Sequence, residues 1–144
     1  MNGQSATEAI RQNAVLVVFS GETDIAWLRV LKPGFRHCFA IIEDPPYWVL
    51  YDPLSHRINV EVLGDFETVD LERWFRSRNC QTVRTLKLKG PIRKQPFAVF
   101  TCVEAVKRII GIRAPWVLTP WQLYQRLLEH ERQNTQEHER FFYR

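Results

Sequence analysis

The pattern of apolar positions in the first two thirds of the chain predicts mainly β-strands. Ala14–Ser20 (AVLVVFS) is a continuous apolar run rich in β-branched residues, which is typical of a buried strand. Other segments alternate apolar and polar residues or are rich in β-branched and aromatic ones. We predict strands there, at residues 35–43, 47–52, 57–63 and 82–89. Residues 25–31 have a mixed periodicity that fits a strand or a helix, and we predict a strand.

The sequence Asp44-Pro45-Pro46 indicates how two of these strands connect. Proline has no N–H to donate to a β-ladder, so these residues end one strand before the next begins. Because the connection is short, we predict that residues 35–43 and 47–52 form an antiparallel hairpin.

Two later segments have the spacing of amphipathic helices. In residues 68–78 the apolar side chains fall on one face, and Thr68 or Asp70 is the expected N-cap. In residues 100–110 Thr101 is the expected N-cap. The second helix also has Glu104 at the capping-box position and Gly111 as its expected C-cap.

A third helix is predicted to open with Thr119 as its N-cap and Pro120 at its first helical position. Its highly charged continuation, residues 129–144, either extends the helix or frays, and residues 1–13 are expected to form a polar arm. The order of strands, one helix, a strand and then helices predicts the α+β class. We therefore expect one domain over residues 1–144, with an antiparallel sheet packed against helices.

Composition narrows the functional classes. Three cysteines without a CxxC spacing argue against a disulfide framework or a zinc site, so we predict no metal and no cofactor. A net charge of +4 without a stripe of basic and aromatic residues argues against specific nucleic-acid binding. No apolar run approaches the roughly 20 residues of a membrane-spanning helix. The polar start of the chain does not resemble a signal peptide, so we expect a cytoplasmic or virion-associated protein.

Cys102 and His37 are the residues with the clearest chemical potential. Cys102 follows the expected N-cap of a helix, where the helix dipole and free N–H groups stabilise a thiolate. His37 lies on a predicted strand, with Phe35 and Phe39 on its face and Cys38 on the other. If the Phe35 and Phe39 face packs on the Cys102 helix, His37 reaches the thiol and can act as its base.

Supporting residues for this pair have competing candidates. Asp52, on the strand after His37, can orient the imidazole, and His56 is the alternative for that role. Gln95, in the loop before the Cys102 helix, is a candidate oxyanion donor. We interpret Cys38 and Cys80 as structural, because free cysteine is often a small buried hydrophobe. Taken singly, Cys102 and His37 would also be interpreted as structural residues of the core.

At this point the chain resembles the circularly permuted NlpC/P60 papain-like families, which include the lecithin:retinol acyltransferase-like proteins and the YiiX/YaeF-like amidases. The matching stretches are RHCFAII (36–42), WVLYDP (48–53), FTCVEAVKRIIGI (100–112) and LTPWQLYQRL (118–127). In permuted members the His strand precedes the Cys helix, as it does here. The resemblance implies that Cys102 is the nucleophile, His37 the base and Asp52 the orienting residue. It also implies acyl transfer through an acyl-enzyme, with peptidoglycan peptides a common substrate class.

Two hypotheses from different classes follow. The first is a cysteine peptidase or amidase that acts on a peptide or peptidoglycan-like substrate. The second is an inactive papain-like fold that serves as a structural or adaptor component of a larger assembly. Its partner would dock on the charged C-terminal helix, residues 129–144.

Overall fold

The computed structural model describes residues 13–23, 26–87 and 101–142, apart from the side chains of residues 27 and 137–142. The described residues form five strands, a short 3₁₀ helix and three α-helices. The strands are β1 (Ala14–Ser20), β2 (His37–Asp44), β3 (Tyr47–Pro53), β4 (Ile58–Gly64) and β5 (Gln81–Leu86). The helices are the 3₁₀ helix (Ala26–Val30), α1 (Thr68–Arg76), α2 (Cys102–Ile110) and α3 (Pro120–Phe142).

All five strands form one antiparallel sheet in the order β4-β3-β2-β1-β5. β1 pairs with both β2 and β5, and its residues 15–19 are fully buried, as its continuous apolar sequence predicts. β2 and β3 form the predicted antiparallel hairpin across Pro45 and Pro46. The α+β class is therefore correct, with helices on both faces of the sheet.

The two faces of the sheet carry separate hydrophobic clusters. On one face α2 and α3 cover the side chains of alternate residues of β1 and β2, together with Val83 of β5. These strand residues are Val15, Val17, Phe19, Cys38 and Ala40. On the other face α1 covers a smaller cluster formed by Leu16, Val18, Ile41, Trp48, Leu71 and Phe75. The larger cluster, on the α2–α3 face, supports α2, and α2 carries Cys102 at its first position.

The strand predicted at residues 25–31 is wrong, because Ala26–Val30 is a 3₁₀ helix. β1 is paired along both of its edges, and β2 lies between β1 and β3, so neither strand offers a free edge to this segment. Short-range bonds form instead, including Leu31 N–H to the Leu28 carbonyl (3.0 Å). The mixed periodicity of the segment left both structures open, and the sheet pairing decides between them.

The predicted face of β2 needs a second correction. β2 begins at His37, so Phe35 lies outside the strand. Phe35 packs with the α2–α3 cluster, and its ring centroid lies 4.9 Å from that of Tyr124. Phe39 lies on the opposite face, where its ring contacts that of Phe75 at 5.6 Å. α2 thus packs on the Cys38 side of the strand, contrary to the face expected from alternation.

Local capping signals agree with the structure at two of the three α-helices. Thr101 Oγ1 accepts a hydrogen bond from Glu104 N–H (3.2 Å), and Gly111 ends α2 in the left-handed region at φ 81°. Thr119 likewise caps α3, accepting from Gln122 N–H at 3.3 Å. For α1 the predicted caps are wrong, because Glu67 occupies the N-cap position and makes no side-chain cap bond.

Candidate active site

Cys102 begins α2, directly after the Thr101 cap. The cap uses the Glu104 N–H, and Ala105 N–H bonds the Thr101 carbonyl at 2.9 Å. Among the described residues, the N–H groups of Cys102 and Val103 therefore keep no partner within their own helix. The helix dipole and these N–H groups place partial positive charge beside the thiol.

His37 and Asp52 meet across the β2–β3 hairpin. His37 is the first residue of β2, and Asp52 lies near the end of β3. His37 Nε2 and Asp52 Oδ1 are 2.6 Å apart, which is a short, charge-assisted hydrogen bond. Their side chains keep 18% and 20% of their surface exposed, so the pair is sheltered but reachable from solvent. Because Nε2 is engaged by the carboxylate, Nδ1 is the ring nitrogen left for Cys102.

Cys102 and His37 perturb each other's protonation. Burial has the largest influence on His37 and lowers its pKa, but hydrogen bonds and charges of Asp52 and Cys102 outweigh it and raise the pKa from 6.5 to about 9. The pKa of Cys102 falls from 9.0 to about 5. A hydrogen bond from Cys38 is the largest cause, burial opposes it, and the hydrogen bond and charge of His37 add to it. At neutral pH the two groups form a thiolate–imidazolium pair.

Cys38 is the neighbour that sequence reasoning missed. It is fully buried in the cluster against which Cys102 packs, and of all neighbours it lowers the pKa of the Cys102 thiol most. Burial raises the pKa of the Cys38 thiol, so it stays protonated and serves as a donor. The available signal was the run of even positions Cys38, Ala40 and Ile42, which are small or apolar and suit a helix-covered face.

Of the other cysteine and histidine candidates, neither His56 nor Cys80 is among the groups that shift the pKa of Cys102 or His37. His56 is exposed in the β3–β4 turn, where its Nδ1 lies 3.5 Å from Ser55 Oγ, and the residue that bonds the His37 ring is Asp52. Cys80 is half-buried after α1, where its thiol lies 3.8 Å from the Arg78 carbonyl. Gln95, the candidate oxyanion donor, lies outside the described residues.

Two further properties bear on the possible chemistry. Over the described ranges no group of three or more His, Cys, Asp or Glu side chains is arranged to hold a metal ion. Over the same ranges no helix combines the length and apolar character needed to cross a membrane.

The chain matches no protein-family model, no curated protein and no solved structure in the comparisons made with them. The interactions of Cys102, His37 and Asp52 are therefore the features from which a function can be inferred.

Proposed function

We propose that the protein is a cysteine hydrolase or acyltransferase that acts on amide, ester or thioester bonds through a covalent acyl-enzyme. Two observations carry the proposal: Cys102 and His37 shift each other's pKa in opposite directions, and His37 bonds Asp52 at 2.6 Å. A thiol at a helix N-terminus, an imidazole in contact with it and a carboxylate that orients the imidazole are the parts that thiol catalysis needs.

The chemistry can be followed atom by atom. The Cys102 thiolate attacks the substrate carbonyl carbon, and the C=O electron pair moves to oxygen. The N–H groups of Cys102 and Val103 are positioned to bond that oxyanion. When the intermediate collapses, the His37 imidazolium gives its proton to the leaving group and a thioester remains. His37 then takes a proton from water, which attacks the thioester and releases the thiolate.

The order of the site residues supports a finer proposal. His37 and Asp52 lie on adjacent antiparallel strands, and the helix that begins with Cys102 follows them in the chain. We propose on this basis that the domain is a circularly permuted papain-like one, as the sequence resemblance implies. Peptide bonds, including those of peptidoglycan, are accordingly the first substrate class to screen.

Iodoacetamide labelling of Cys102 as a function of pH tests the proposal directly. A Cys80→Ser background removes the other accessible thiol, and mass spectrometry identifies the labelled residue. We expect an apparent pKa near about 5 in the parent and a large rise in His37→Ala. His56→Ala is the matched control, since His56 is exposed and is not among the groups that shift the Cys102 pKa, and it should leave the profile unchanged. An ordinary thiol profile that ignores His37→Ala would show that the site is not an activated nucleophile.

A second candidate function is a structural or adaptor role, and one observation favours it. Edge strand β4 exposes a row of β-branched side chains on one face: Ile58 is 51%, Val60 61% and Val62 62% exposed. An exposed apolar edge strand is a ready site for pairing with another chain. A Val60→Lys variant that changes the oligomeric state or loses a purified partner, with labelling of Cys102 unchanged, would support this role. A monomer that is unaffected by the substitution would argue against it.

A further inference from the structure

A cavity of about 540 Å³ lies on the α1 face of the sheet, apart from the thiol itself. Its walls come from β2, β3, β4, α1 and the turn before α1. Its volume is within the range of roughly 300–1,000 Å³ that small-molecule sites occupy. The apolar part of its lining consists of Phe39, Leu50, Leu63, Leu71, Trp74 and Phe75, with Phe66 at the rim. Phe66 and Trp74 are half-exposed, so two aromatic rings are available at the cavity's outer edge.

The cavity touches the Cys102–His37–Asp52 site through two of its walls. Asp52 lines the cavity and also bonds His37, so one carboxylate belongs to both. The Phe39 ring, another part of the lining, has its centroid 6.0 Å from that of His37. A group held in this cavity would therefore lie beside the imidazole that shuttles the proton.

The polar part of the lining is acidic. Asp52, Glu61 and Asp70 contribute carboxylates, and no Lys, Arg or His of the described residues lines the cavity. Two of these charges are already paired, Asp52 with His37 and Asp70 with Arg73 at 3.1 Å. Glu61 forms no ion pair or side-chain hydrogen bond with any other residue that the structure describes. It therefore leaves an uncompensated negative charge at the cavity.

Arg78 is a cation beside the cavity, and it occupies one face of the Trp74 ring. Arg78 lies 3.6 Å over the Trp74 ring, so that aromatic side chain already supports one positive charge. The charge preference of the cavity is consequently set by Glu61, while Trp74 and Phe66 supply contact area. Glu61 lies opposite Leu50 in the β3–β4 register, which places it over the apolar wall rather than out on a loop.

We propose that this cavity binds a substrate group with a bulky apolar body and a positively charged end, such as an aromatic or long aliphatic amine. The apolar body packs against the aromatic and leucine wall, and the ammonium group pairs with Glu61. The assignment of this group to a substrate depends on the proposed acyl-transfer function, whereas the binding site itself does not.

Two probes with the same body and opposite charge test the binding site. We would titrate ¹⁵N-labelled protein with 4-phenylbutylamine and, separately, with 4-phenylbutyrate, and follow amide chemical shifts. We expect the amine to shift residues of β3, β4 and α1 and to bind about tenfold more tightly than the carboxylate, a difference of about 1.4 kcal/mol. Equal binding of both probes would overturn the charge assignment. Shifts confined to other surfaces, or none, would overturn the site.

Matched variants assign the contacts. Glu61→Gln should abolish the preference for the amine while retaining the apolar contribution, because it removes the charge and keeps the shape. Trp74→Ala should weaken the binding of both probes several-fold. Trp116→Ala is the control, since Trp116 is equally an exposed tryptophan but does not line the cavity. If Trp116→Ala weakens binding as much as Trp74→Ala does, the cavity is not the site.

Labelling separates the site from its proposed use. Bound 4-phenylbutylamine should slow iodoacetamide labelling of Cys102 in proportion to its occupancy, because it lies beside His37. Binding that leaves the labelling rate unchanged would overturn the substrate assignment and keep the binding site. A thiol with ordinary reactivity, in a protein that still binds the amine, would overturn the proposed function and not the cavity.

Discussion

The two faces of the sheet differ in how completely helices cover them. On the α2–α3 face the cluster of buried residues runs from β5 across β1 to β2, and Phe19, Val106, Ile110 and Leu123 are fully buried. On the α1 face a single nine-residue helix covers a smaller cluster and leaves a cavity of about 540 Å³ beside it. One face is closely packed, and the other is only partly covered.

The difference has a chemical meaning because the site draws on both faces. Cys102 and Cys38 belong to the packed face, which fixes the proposed nucleophile and its neighbouring thiol in place. Asp52 and Phe39 border the cavity, where a bound group can approach the imidazole. The comparison predicts that substitutions on the packed face change stability and thiol chemistry, whereas those on the open face change binding.

The largest expected contrast is in the cost of shortening a leucine. Leu123 of α3 is fully buried, so Leu123→Ala should lower the free energy of unfolding by about 3 kcal/mol or more, through lost burial and an unfilled cavity. Leu63 of β4 borders space that is already open, so Leu63→Ala should cost only about 1 kcal/mol. Urea unfolding of both variants measures the contrast. Equal losses would show that the two faces are equally well packed.

Lys107 gives the next largest effect, again on the packed face. It is 4% exposed, and its ammonium group donates to the carbonyls of Ala114 (2.9 Å) and Val117 (3.1 Å) and pairs with Glu104 (2.8 Å). These bonds hold the turn between α2 and α3 against α2. Lys107→Met keeps the volume but removes both bonds. The Val117 carbonyl loses its described partner, whereas the Ala114 carbonyl keeps the bond from Val117 N–H (3.0 Å), so the free energy of unfolding should fall by about 2 kcal/mol.

Arg108→Met is the control for Lys107, because Arg108 also pairs with Glu104 (3.1 Å) but keeps 39% of its side chain exposed, against 5% for Lys107. Loss of the Arg108–Glu104 ion pair should lower the free energy of unfolding by less than about 1 kcal/mol, as is usual for exposed ion pairs. Urea unfolding again provides the measurement. A loss from Arg108→Met as large as that from Lys107→Met would mean that the Glu104 pair, and not the two carbonyls, stabilises the turn.

Cys38 sharpens the comparison chemically, since it connects the packed face to the reactivity of the thiol. Its hydrogen bond is the largest cause of the lowered Cys102 pKa, so Cys38→Ala should raise that pKa and slow labelling at about pH 6 severalfold. Cys38→Ser keeps a donor and should retain more of the effect. Iodoacetamide labelling of both variants in the Cys80→Ser background is the measurement. Unchanged labelling in Cys38→Ala would leave His37 and the helix terminus as the causes.

The folded protein should also depend on pH through the same pair. Cys102 has a lowered pKa in the folded state, so its contribution is lost as pH falls through about 5. His37 has a raised pKa, so its contribution is lost as pH rises through about 9. Between pH 6.5 and 9.0 the two trends oppose each other. The stability difference between the parent and the double variant His37→Ala/Cys102→Ala should therefore rise from about pH 5 to 6.5 and then level off, as measured by urea unfolding.

What the sequence predicts well is local. The apolar run of β1, the Pro45-Pro46 hairpin and the caps Thr101 and Thr119 depend on neighbouring residues, and the structure contains all of them. The antiparallel α+β class follows from the order of these elements. The placement of Cys102 at a helix start, with its candidate partners on nearby strands, also came from such local signals.

What the sequence predicts poorly depends on pairing at long range. Residues 26–30 become a 3₁₀ helix because no free edge of β1 or β2 is available to them. The contact of Cys38 with Cys102 depends on which face of β2 receives α2, and a strand that is apolar on both faces does not encode that choice. The cavity, likewise, depends on how α1 packs against β2, β3 and β4, which are far from it in the sequence.

The helix caps provide the smallest and most local contrast between the two faces. Thr101→Ala removes the acceptor of the Glu104 N–H at the start of α2 and should cost about 1 kcal/mol, and Thr101→Ser should restore most of it. Thr68→Ala, at the start of α1, removes no cap bond and should leave stability within about 0.5 kcal/mol of the parent. Because the Thr101 cap also orients the first turn that carries Cys102, Thr101→Ala should slow the labelling of this thiol, whereas Thr68→Ala should not. Urea unfolding and iodoacetamide labelling of the three variants measure both effects, and equal responses at the two caps would contradict the special role assigned to the α2 terminus.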